Sequence, residues 1–465
     1  MIFTRLISLH TGFARSWAVA GAAVAVALWG GPALGKTAPP GWPEAYGLYD
    51  WTEASRIIAV GTVAAVDDTA LQVDVEEVLR GTVQCQRMTV SPSLVDSCLG
   101  PSPVLQAGER AVLFIKGVEE GRFALVYPGA VLNTRFAGLD AIPGIRGLLE
   151  ITALPEQQRR EHAVIDLLDS PNKVLRQAAT QFISAHVVSS PDVERYAPQL
   201  IAKLSSPDPA VRAVATSGLR RARSAKVMTA LVRTTRDANV GVVCAASQGL
   251  AKFDDEEAVK ALLALFKHED PDVRVRACLD IDTHVRPDVI NALLGATRDP
   301  IAKVRAVAAT GLIYSIREKE GLTAVPRLKE MLSDSDPEVR GRAARALGET
   351  RDPRLVALLL NRLGPSTLPE DEEWPLVSAL GMLPHDDETV RVALREHVSR
   401  LGASLRQGHR VAITAASLLA TAGTPEARTI LEDAADNHPL LEVREAARVI
   451  LGYWNAGEYG NAGSL

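Results

Sequence analysis

Apolar residues recur at a fixed spacing through most of the chain, and they predict a helical repeat. Val211 is followed by apolar residues four and eight positions later, an arrangement that places all three on one face of an α-helix. The same stripe begins again at Val242, Val273 and Val304, so it steps by 31 residues three times in succession. A fixed period of this length indicates stacked supersecondary units rather than one globular core.

The stripe extends beyond these four copies in both directions. Its first residue is placed at nine positions: 175, 211, 242, 273, 304, 339, 372, 411 and 443. The copy at Glu372 is the weakest, because only Leu376 and Leu380 keep the pattern there. A second apolar helix follows each first helix, as at residues 258–265 and 353–360. Neither helix of a pair can bury its stripe alone, so neighbouring pairs must stack.

Three of the first helices begin with the dipeptide Asp-Pro, at Asp208, Asp270 and Asp336. An N-cap aspartate accepts hydrogen bonds from the first free amides of a helix, and its charge meets the positive end of the helix dipole. Proline at the next position gives up an amide that has no partner within the helix. We therefore predict that these three aspartates are helix caps.

An arginine follows the first stripe residue in six of the nine copies, at positions 176, 212, 274, 305, 340 and 444. We expect a structural ladder, in which the arginine of one repeat binds an aspartate or a loop carbonyl of the next, bidentately where the geometry allows. The residues assigned to caps and ladder are Asp208, Arg212, Asp270, Arg274, Asp299, Arg305, Asp336 and Arg340. The alternative is that this row of arginines recognises carboxylates or phosphates of a ligand.

A different periodicity precedes the helices and predicts β-strands. Residues 56–66 are rich in β-branched and small side chains, and residues 71–75 alternate between apolar and polar, which indicates a hairpin. Residues 87–90 form a third predicted strand, and residues 110–115 and 122–127 a second hairpin. About five strands with short polar connections fit a small barrel or sandwich.

The helical pattern closely resembles HEAT repeats, in the short form also found in bilin-lyase-like proteins. The resemblance covers residues 165–454. It implies a mainly α fold, namely an α-solenoid of HEAT-like helical hairpins preceded by a small all-β domain. Solenoids of this kind commonly bind other proteins through extended surfaces.

Three strand segments, at 59–63, 75–81 and 108–114, resemble the netrin-like domains related to tissue inhibitors of metalloproteinases. Those domains are OB-type β-barrels, so the resemblance implies an OB-like domain over residues 54–135. The inhibitors use a cysteine at the mature N-terminus, and residues 36–39 contain none. We therefore expect a recognition or packing role, with an unrelated small β domain as the alternative.

Residues 1–35 have the layout of a cleavable secretory signal peptide. Arg5 and Arg15 precede an apolar run over residues 17–29, and small residues follow. The run is shorter than the ~20 residues that span a bilayer, so we expect cleavage rather than a membrane anchor. The mature protein would then be exported, to the periplasm or outside the cell, and would have no membrane span.

Three further segments have little regular pattern. We predict an extended lead-in at residues 36–53, a junction without a strong helix at 136–164 and a disordered tail at 455–465. The chain has 51 basic and 56 acidic residues, and removal of Arg5 and Arg15 leaves a net charge of 49 − 56 = −7. This balance lacks the electrostatic footprint of a nucleic-acid-binding protein.

The four cysteines do not have the spacing of a zinc site. In an oxidising compartment, Cys85 and Cys98 are a plausible disulfide within the β domain. Cys244 and Cys278 fall on first helices of the repeats, where free cysteine behaves as a small hydrophobe. We predict that both are buried thiols.

The sequence contains no motif for a zinc helix, a nucleophile elbow or a phosphate-binding loop, so we predict no catalytic residue, cofactor or metal. Residues 370–373 form an acidic run, interpreted as a solvated face, with contact to a basic partner as the alternative. The leading hypothesis is an exported, non-enzymatic adaptor that binds a protein partner through the repeats. A protease inhibitor acting through the β domain and a lyase-like or cofactor-handling protein are the alternatives, and the oligomeric state stays open.

Overall fold

The protein is described here by a computed structural model. It describes residues 48–66, 71–91, 106–119, 122–125, 131–133, 141–281, 284–318, 320–366 and 368–455. The predicted signal peptide, most of the lead-in, Cys98 and residues 456–465 of the tail lie outside these ranges. The described residues form two compact units, which divide between Gly249 and Leu250.

The first unit begins with a small curled β-sheet. Its strands are β1 (Ile57–Val66), β2 (Leu71–Arg80), β3 (Arg87–Ser91), β4 (Arg110–Glu119), β5 (Arg122–Leu125) and β6 (Val131–Asn133). β1 pairs in antiparallel fashion with both β2 and β4, and β3 pairs in parallel with β5. The sheet order β1-β2-β3-β5-β4-β6 therefore curls back on itself. The edge strand β6, which pairs with β4, was not predicted from the sequence.

Alternate residues of the strands fill the interior of the curled sheet. Leu71 and Val73 of β2 and Ala111, Leu113 and Ile115 of β4 are all buried in one cluster. Successive side chains of a strand point to opposite faces, so this spacing of two places one apolar set inside. The sheet thus has its own small core.

Residues 48–53, the end of the predicted extended lead-in, form most of helix α1 (Leu48–Ala54) instead. A helix of seven residues gains little from its own hydrogen bonds. Packing supplies the rest, because the ring of Tyr49 lies 5.3 Å from that of Phe182 and the ring of Trp51 lies 5.6 Å from that of Phe114. The prediction missed this helix because both partners are distant in sequence.

The remaining helices of the first unit are α2 (Ala141–Thr152), α3 (Gln157–Asp166), α4 (Lys173–Phe182), α5 (Ala197–Lys203), α6 (Pro209–Gly218), α7 (Ala225–Thr234) and α8 (Val240–Leu250). Helix α2 corrects the predicted junction. Its Pro143 lies in the first turn, where no amide is needed for an intrahelical bond. A Cβ at Gly144 would lie only 2.8 Å from Cβ of Val174, so the glycine lets α2 approach α4 closely.

Arg80, at the end of β2, connects the sheet to the helices. Its Nη1 donates to the carbonyl oxygens of Thr52 (2.5 Å) and Ser55 (3.2 Å), at the end of α1. Its Nη2 donates to Oγ1 of Thr152 (2.7 Å), at the end of α2. The sheet is therefore fastened to the first helices of the same unit.

The second unit contains α9 (Glu256–Leu265), α10 (Pro271–Asp280), α11 (Pro287–Ala296), α12 (Ala302–Arg317), α13 (Val325–Met331), α14 (Pro337–Glu349), α15 (Val356–Leu363), α16 (Glu370–Gly381), α17 (Glu388–Glu396), α18 (Val398–Ser404), α19 (His409–Ala422), α20 (Pro425–Asn437) and α21 (Leu441–Asn455). The stripe residues Val273, Val304, Val339 and Val411 are all fully buried. Residues four and eight positions after each are buried too. The stripe that the spacing predicts is therefore buried in the structure, and the helices of this unit form an array of stacked pairs.

Helices α14 and α16 pack closely at Gly348. A Cβ built there would lie 2.8 Å from Cα of Ala379, and backbone cannot move aside as a flexible side chain can. We expect Gly348→Ala to lower the free energy of unfolding by about 1–3 kcal/mol in urea denaturation. Gly295→Ala is the control, because its Cβ would meet no atom within 4 Å, and it should be neutral or stabilising. Equal stability of the two variants would contradict the close approach.

Candidate functional site

The most regular polar feature of the array is the turn before each first helix. Nη1 of Arg274 donates to the carbonyl oxygens of His268 (2.8 Å) and Glu269 (2.9 Å), six and five residues earlier. Nη1 of Arg212 makes the same two bonds to Ser206 (3.0 Å) and Pro207 (3.1 Å). Nη1 also donates to the carbonyl oxygens six and five residues earlier in four further arginines, namely Arg176, Arg305, Arg340 and Arg444. Each arginine therefore closes its own turn.

The residue five positions before the first stripe residue, here called the turn residue, also uses its side chain. Oδ1 of Asp299 accepts the amide of Ile301 (2.9 Å), and Oδ1 of Asp334 accepts that of Asp336 (3.0 Å). In one repeat the turn residue is His268, whose Nδ1 accepts an amide in the same way (3.1 Å). Side chains that accept from the amide two residues on are typical of Asx-type turns.

The three predicted caps lie at the N-termini of α6, α10 and α14. Oδ1 of Asp208 accepts the amide of Ala210 (2.8 Å), and Oδ1 of Asp270 accepts that of Asp272 (2.8 Å). Asp336 likewise accepts from the two amides at positions 338 and 339. The caps do not bind the arginines of the preceding repeats.

Three of the arginines instead bind the turn aspartate of the following repeat through their Nε and Nη2 atoms. These distances are 2.7 and 2.8 Å for Arg212 to Asp237, 2.7 and 3.0 Å for Arg274 to Asp299, and 2.9 and 2.7 Å for Arg305 to Asp334. Such two-bond pairs are the strong form of an ion pair between arginine and carboxylate. Both side chains of each pair are largely buried. Arg340 binds Glu372 in place of an aspartate.

These pairs keep the acids charged. Hydrogen bonds from Arg212 and Arg305 lower the pKa of Asp237 and Asp334, respectively. Burial acts to raise the pKa of Asp299, but bonds from Arg274 and from a backbone amide outweigh it and lower the pKa overall. We call each arginine of the ladder, with the turn residue of the following repeat, a rung. At these three rungs an internal carboxylate already binds Nε and Nη2, the bidentate edge of the arginine, so this edge is not left for a ligand.

One buried ion pair was not predicted from the sequence. Within the acidic run, Glu373 is fully buried and accepts from Nη1 and Nη2 of Arg400 at 3.1 and 3.0 Å. The amide of Leu368 donates to the same carboxylate (2.9 Å), and Arg400 also donates to the carbonyl of Gly364 (2.9 Å). Glu373 is thus a buried structural group, and the predicted solvated face is wrong for this residue.

The cysteines divide by burial. Cys85 is exposed, and its predicted partner Cys98 lies outside the described residues, so the disulfide stays a prediction. Burial raises the pKa of Cys278 to about 12, so this thiol stays protonated at neutral pH. Cys244 is half-buried rather than fully buried.

The described residues contain neither a metal-binding cluster nor a helix that could span a membrane. Within them, no group of three or more His, Cys, Asp or Glu side chains is placed to hold a metal ion. The helices described between residues 48 and 455 also include none that is long and apolar enough to cross a membrane.

Several proteins of known structure are similar to this chain. An engineered protein of known structure is 19% identical, with 63% of this chain and 88% of that chain covered and a TM-score of 0.41. YibA of Escherichia coli is 20% identical, with 57% and 92% covered and a TM-score of 0.38. Kap95p, solved in complex with RanGDP, is 13% identical, with 67% and 49% covered and a TM-score of 0.45. No curated protein matches the sequence.

A family model settles the nature of the central helices. The model of the HEAT repeats matches residues 197–280 and 287–370. These two segments match HEAT repeats, and the fold class is a mainly helical, HEAT-like solenoid with a small curled β-sheet in its N-terminal part.

Proposed function

We propose that this protein is an exported, non-enzymatic adaptor that binds a protein partner through the surface of its HEAT repeats. Each helix of the array buries one stripe against its neighbours and leaves its other faces at the surface. HEAT repeats typically bind proteins in this way. The surface of the second unit supplies the observation that carries the proposal.

Large apolar side chains are exposed on and beside two neighbouring helices of this unit, α10 and α12. Leu279 of α10 is 42% exposed and Tyr314 of α12 is 44% exposed, and we call these two residues the α10–α12 surface. An ion pair between Lys303 and Asp272, at 3.4 Å, joins the first turns of the same two helices. Aromatic residues are enriched at protein interfaces, so an exposed tyrosine with an exposed leucine on the adjacent helix favours this surface as the place of contact.

Charge introduced at this surface is expected to weaken capture of the partner. Leu279→Asp combined with Tyr314→Asp should raise the Kd at least about tenfold, because apolar anchors at an interface contribute about 2 kcal/mol or more. The partner is first identified by affinity capture from the exported fraction and mass spectrometry, and its Kd is then measured by calorimetry. Val449→Asp is the matched control, since Val449 on α21 is also 44% exposed. If the double variant binds as tightly as this control, the proposed surface is wrong.

Export is proposed from residues 1–35 alone. The N-terminus of the protein recovered from the exported fraction is expected at Lys36, directly after the predicted signal peptide. Recovery from the cytoplasm of a chain that still begins with Met1 would contradict export. It would not affect the proposal that the α10–α12 surface binds a partner.

We further propose that the curled sheet is an OB-type barrel with a packing role. The ring of pairings β1-β2-β3-β5-β4, closed by β4 on β1, supports the OB-type assignment. The bonds of Arg80 to both α1 and α2 support the packing role. Protease inhibition is not part of the proposal, because residues 36–39 contain no cysteine.

A further inference from the structure

The arginine ladder of the first unit has one rung without an acid. At the rungs of Arg212, Arg274 and Arg305, the turn residue of the following repeat is an aspartate. At the rung of Arg176, the turn residue of the following repeat is Ser206. A hydroxyl cannot receive both Nε and Nη2 of an arginine as a carboxylate does.

Arg176 is nevertheless held like the other arginines. Its Nη1 donates to the carbonyl oxygens of Ser170 (2.6 Å) and Pro171 (2.8 Å), six and five residues earlier. These bonds are the ones that direct Nε and Nη2 toward the next turn in the neighbouring rungs. Among the described residues, neither of these two atoms of Arg176 has a hydrogen-bond partner. The bidentate edge is therefore oriented and unused.

Arg176 lines an open cleft of about 520 Å³, together with Lys203, Ser206 and Asp208. The other charged groups of the cleft already have partners. Lys203 binds Asp169 (Nζ to Oδ2, 2.7 Å), which also accepts from Oγ of Ser206 (3.0 Å), and Asp208 caps α6. The helix that bears Arg176 is capped by the neutral Asn172, where three other repeats have aspartate. Arg176 is thus the cation of the cleft whose charge has no acidic partner among the described residues.

We propose that the Nε–Nη2 edge of Arg176 binds a carboxylate of a protein partner, in the place that an internal aspartate occupies at the neighbouring rungs. The carboxylate comes either from an acidic side chain or from a C-terminus, because both offer the same two oxygens. This site deepens the proposed function and rests on it, since it requires a protein ligand. It lies in the first unit and is independent of the α10–α12 surface.

The binding test uses the full-length protein and three acetylated pentapeptides of alanine. One has a central glutamate and an amidated C-terminus, one has a free C-terminal carboxylate, and one has a central glutamine and an amidated C-terminus. The readout is the NMR shift of the Nε–H group of Arg176, assigned by its loss in Arg176→Gln. Saturable shifts with either carboxylate peptide and none with the glutamine peptide are expected, and the stronger of the two identifies the source. No shift with either carboxylate peptide, or a shift with inorganic phosphate alone, would overturn the assignment.

A substitution at the turn provides the internal control. Ser206→Asp supplies the missing carboxylate within the chain, so it should weaken binding of the carboxylate peptide at least about tenfold. Ser206→Asn introduces a side chain of the same size as aspartate but without its charge, so this variant should bind the peptide as the wild type does. If Ser206→Asp binds the peptide with unchanged affinity, the ligand does not occupy the vacant rung and the proposal is wrong.

Capture of the partner separates this inference from the proposed function. Arg176→Lys keeps the charge but loses the planar fork, so it should reduce the affinity for the captured partner as Arg176→Gln does. If both variants capture the partner as the wild type does, and neither carboxylate peptide shifts the Nε–H signal, the Arg176 site is refuted. The proposed adaptor function is not affected by that result. If the wild type captures no partner at all, the adaptor function fails, whatever the peptides show.

Discussion

Glu373→Gln is expected to lower the free energy of unfolding of the second unit by about 3–5 kcal/mol, the usual effect of removing one member of a buried ion pair. The substitution keeps the size of the side chain but leaves the Arg400 guanidinium, which is only 6% exposed, without its counter-charge. Urea denaturation gives the free energy, and hydrogen exchange of α16 and α18 shows whether the loss is local.

Two controls separate charge from packing. Glu432→Gln removes an exposed pair with Arg428 and should change the free energy of unfolding by less than about 1 kcal/mol. The double variant Glu373→Leu with Arg400→Met should recover much of the loss, because apolar replacements remove both desolvation penalties. A Glu373→Gln protein that unfolds like the wild type would show that the pair is not buried in solution.

Arg274→Ala is expected to destabilise the second unit by about 2–3 kcal/mol, because Asp299 then stays largely buried without its cation and two turn carbonyls lose a donor. The free energy of unfolding of Arg274→Lys should lie between those of Arg274→Ala and the wild type, since lysine keeps the charge and loses the two-bond geometry. Hydrogen exchange of α10 and α12 measures the effect. Equal protection in Arg274→Ala and the wild type would contradict a stabilising ladder.

The same rung makes stability depend on pH. The pKa of Asp299 is lowered in the folded protein, so its stabilisation is present above the ordinary aspartate pKa of about 4 and is lost as the pH falls through the lowered value. In Asp299→Asn, the free energy of unfolding should therefore fall less steeply with acidification than in the wild type. Denaturation curves at pH 7 and on the acid side of pH 4 test the sign.

The repeat could be predicted from the sequence because each copy repeats the same local physics. The stripe that begins at Val273 fixes which helix face is buried, and the helical, HEAT-like fold class was confirmed. The arginines of the ladder could be named from their spacing. Their acceptors Asp237 and Asp334 were missed, because the prediction considered the cap residues and not the polar residues of the turn before each first helix. A polar residue five positions before the first stripe residue was the available signal.

The other misses arose where distant parts of the chain determine local structure. Helix α1 depends on Phe114 and Phe182, which lie far from it in sequence. The burial of Glu373 depends on Arg400, and nothing in the acidic run itself marks one glutamate as different from its neighbours. Periodicity describes a helix face, whereas these contacts require the positions of several elements at once.

The bonds of Arg80 determine where this chain can be cut. A truncated chain that stops after the last strand, near residue 135, would retain the Arg80 guanidinium but lose Thr152, and it would also lose Gln181, whose side chain accepts the amide of Leu48. Expression of the strands alone should therefore give an insoluble or loosely folded product. A fragment meant to be studied in isolation has to continue past α4, so the smallest autonomous piece of this region is a mixed α and β module rather than a barrel.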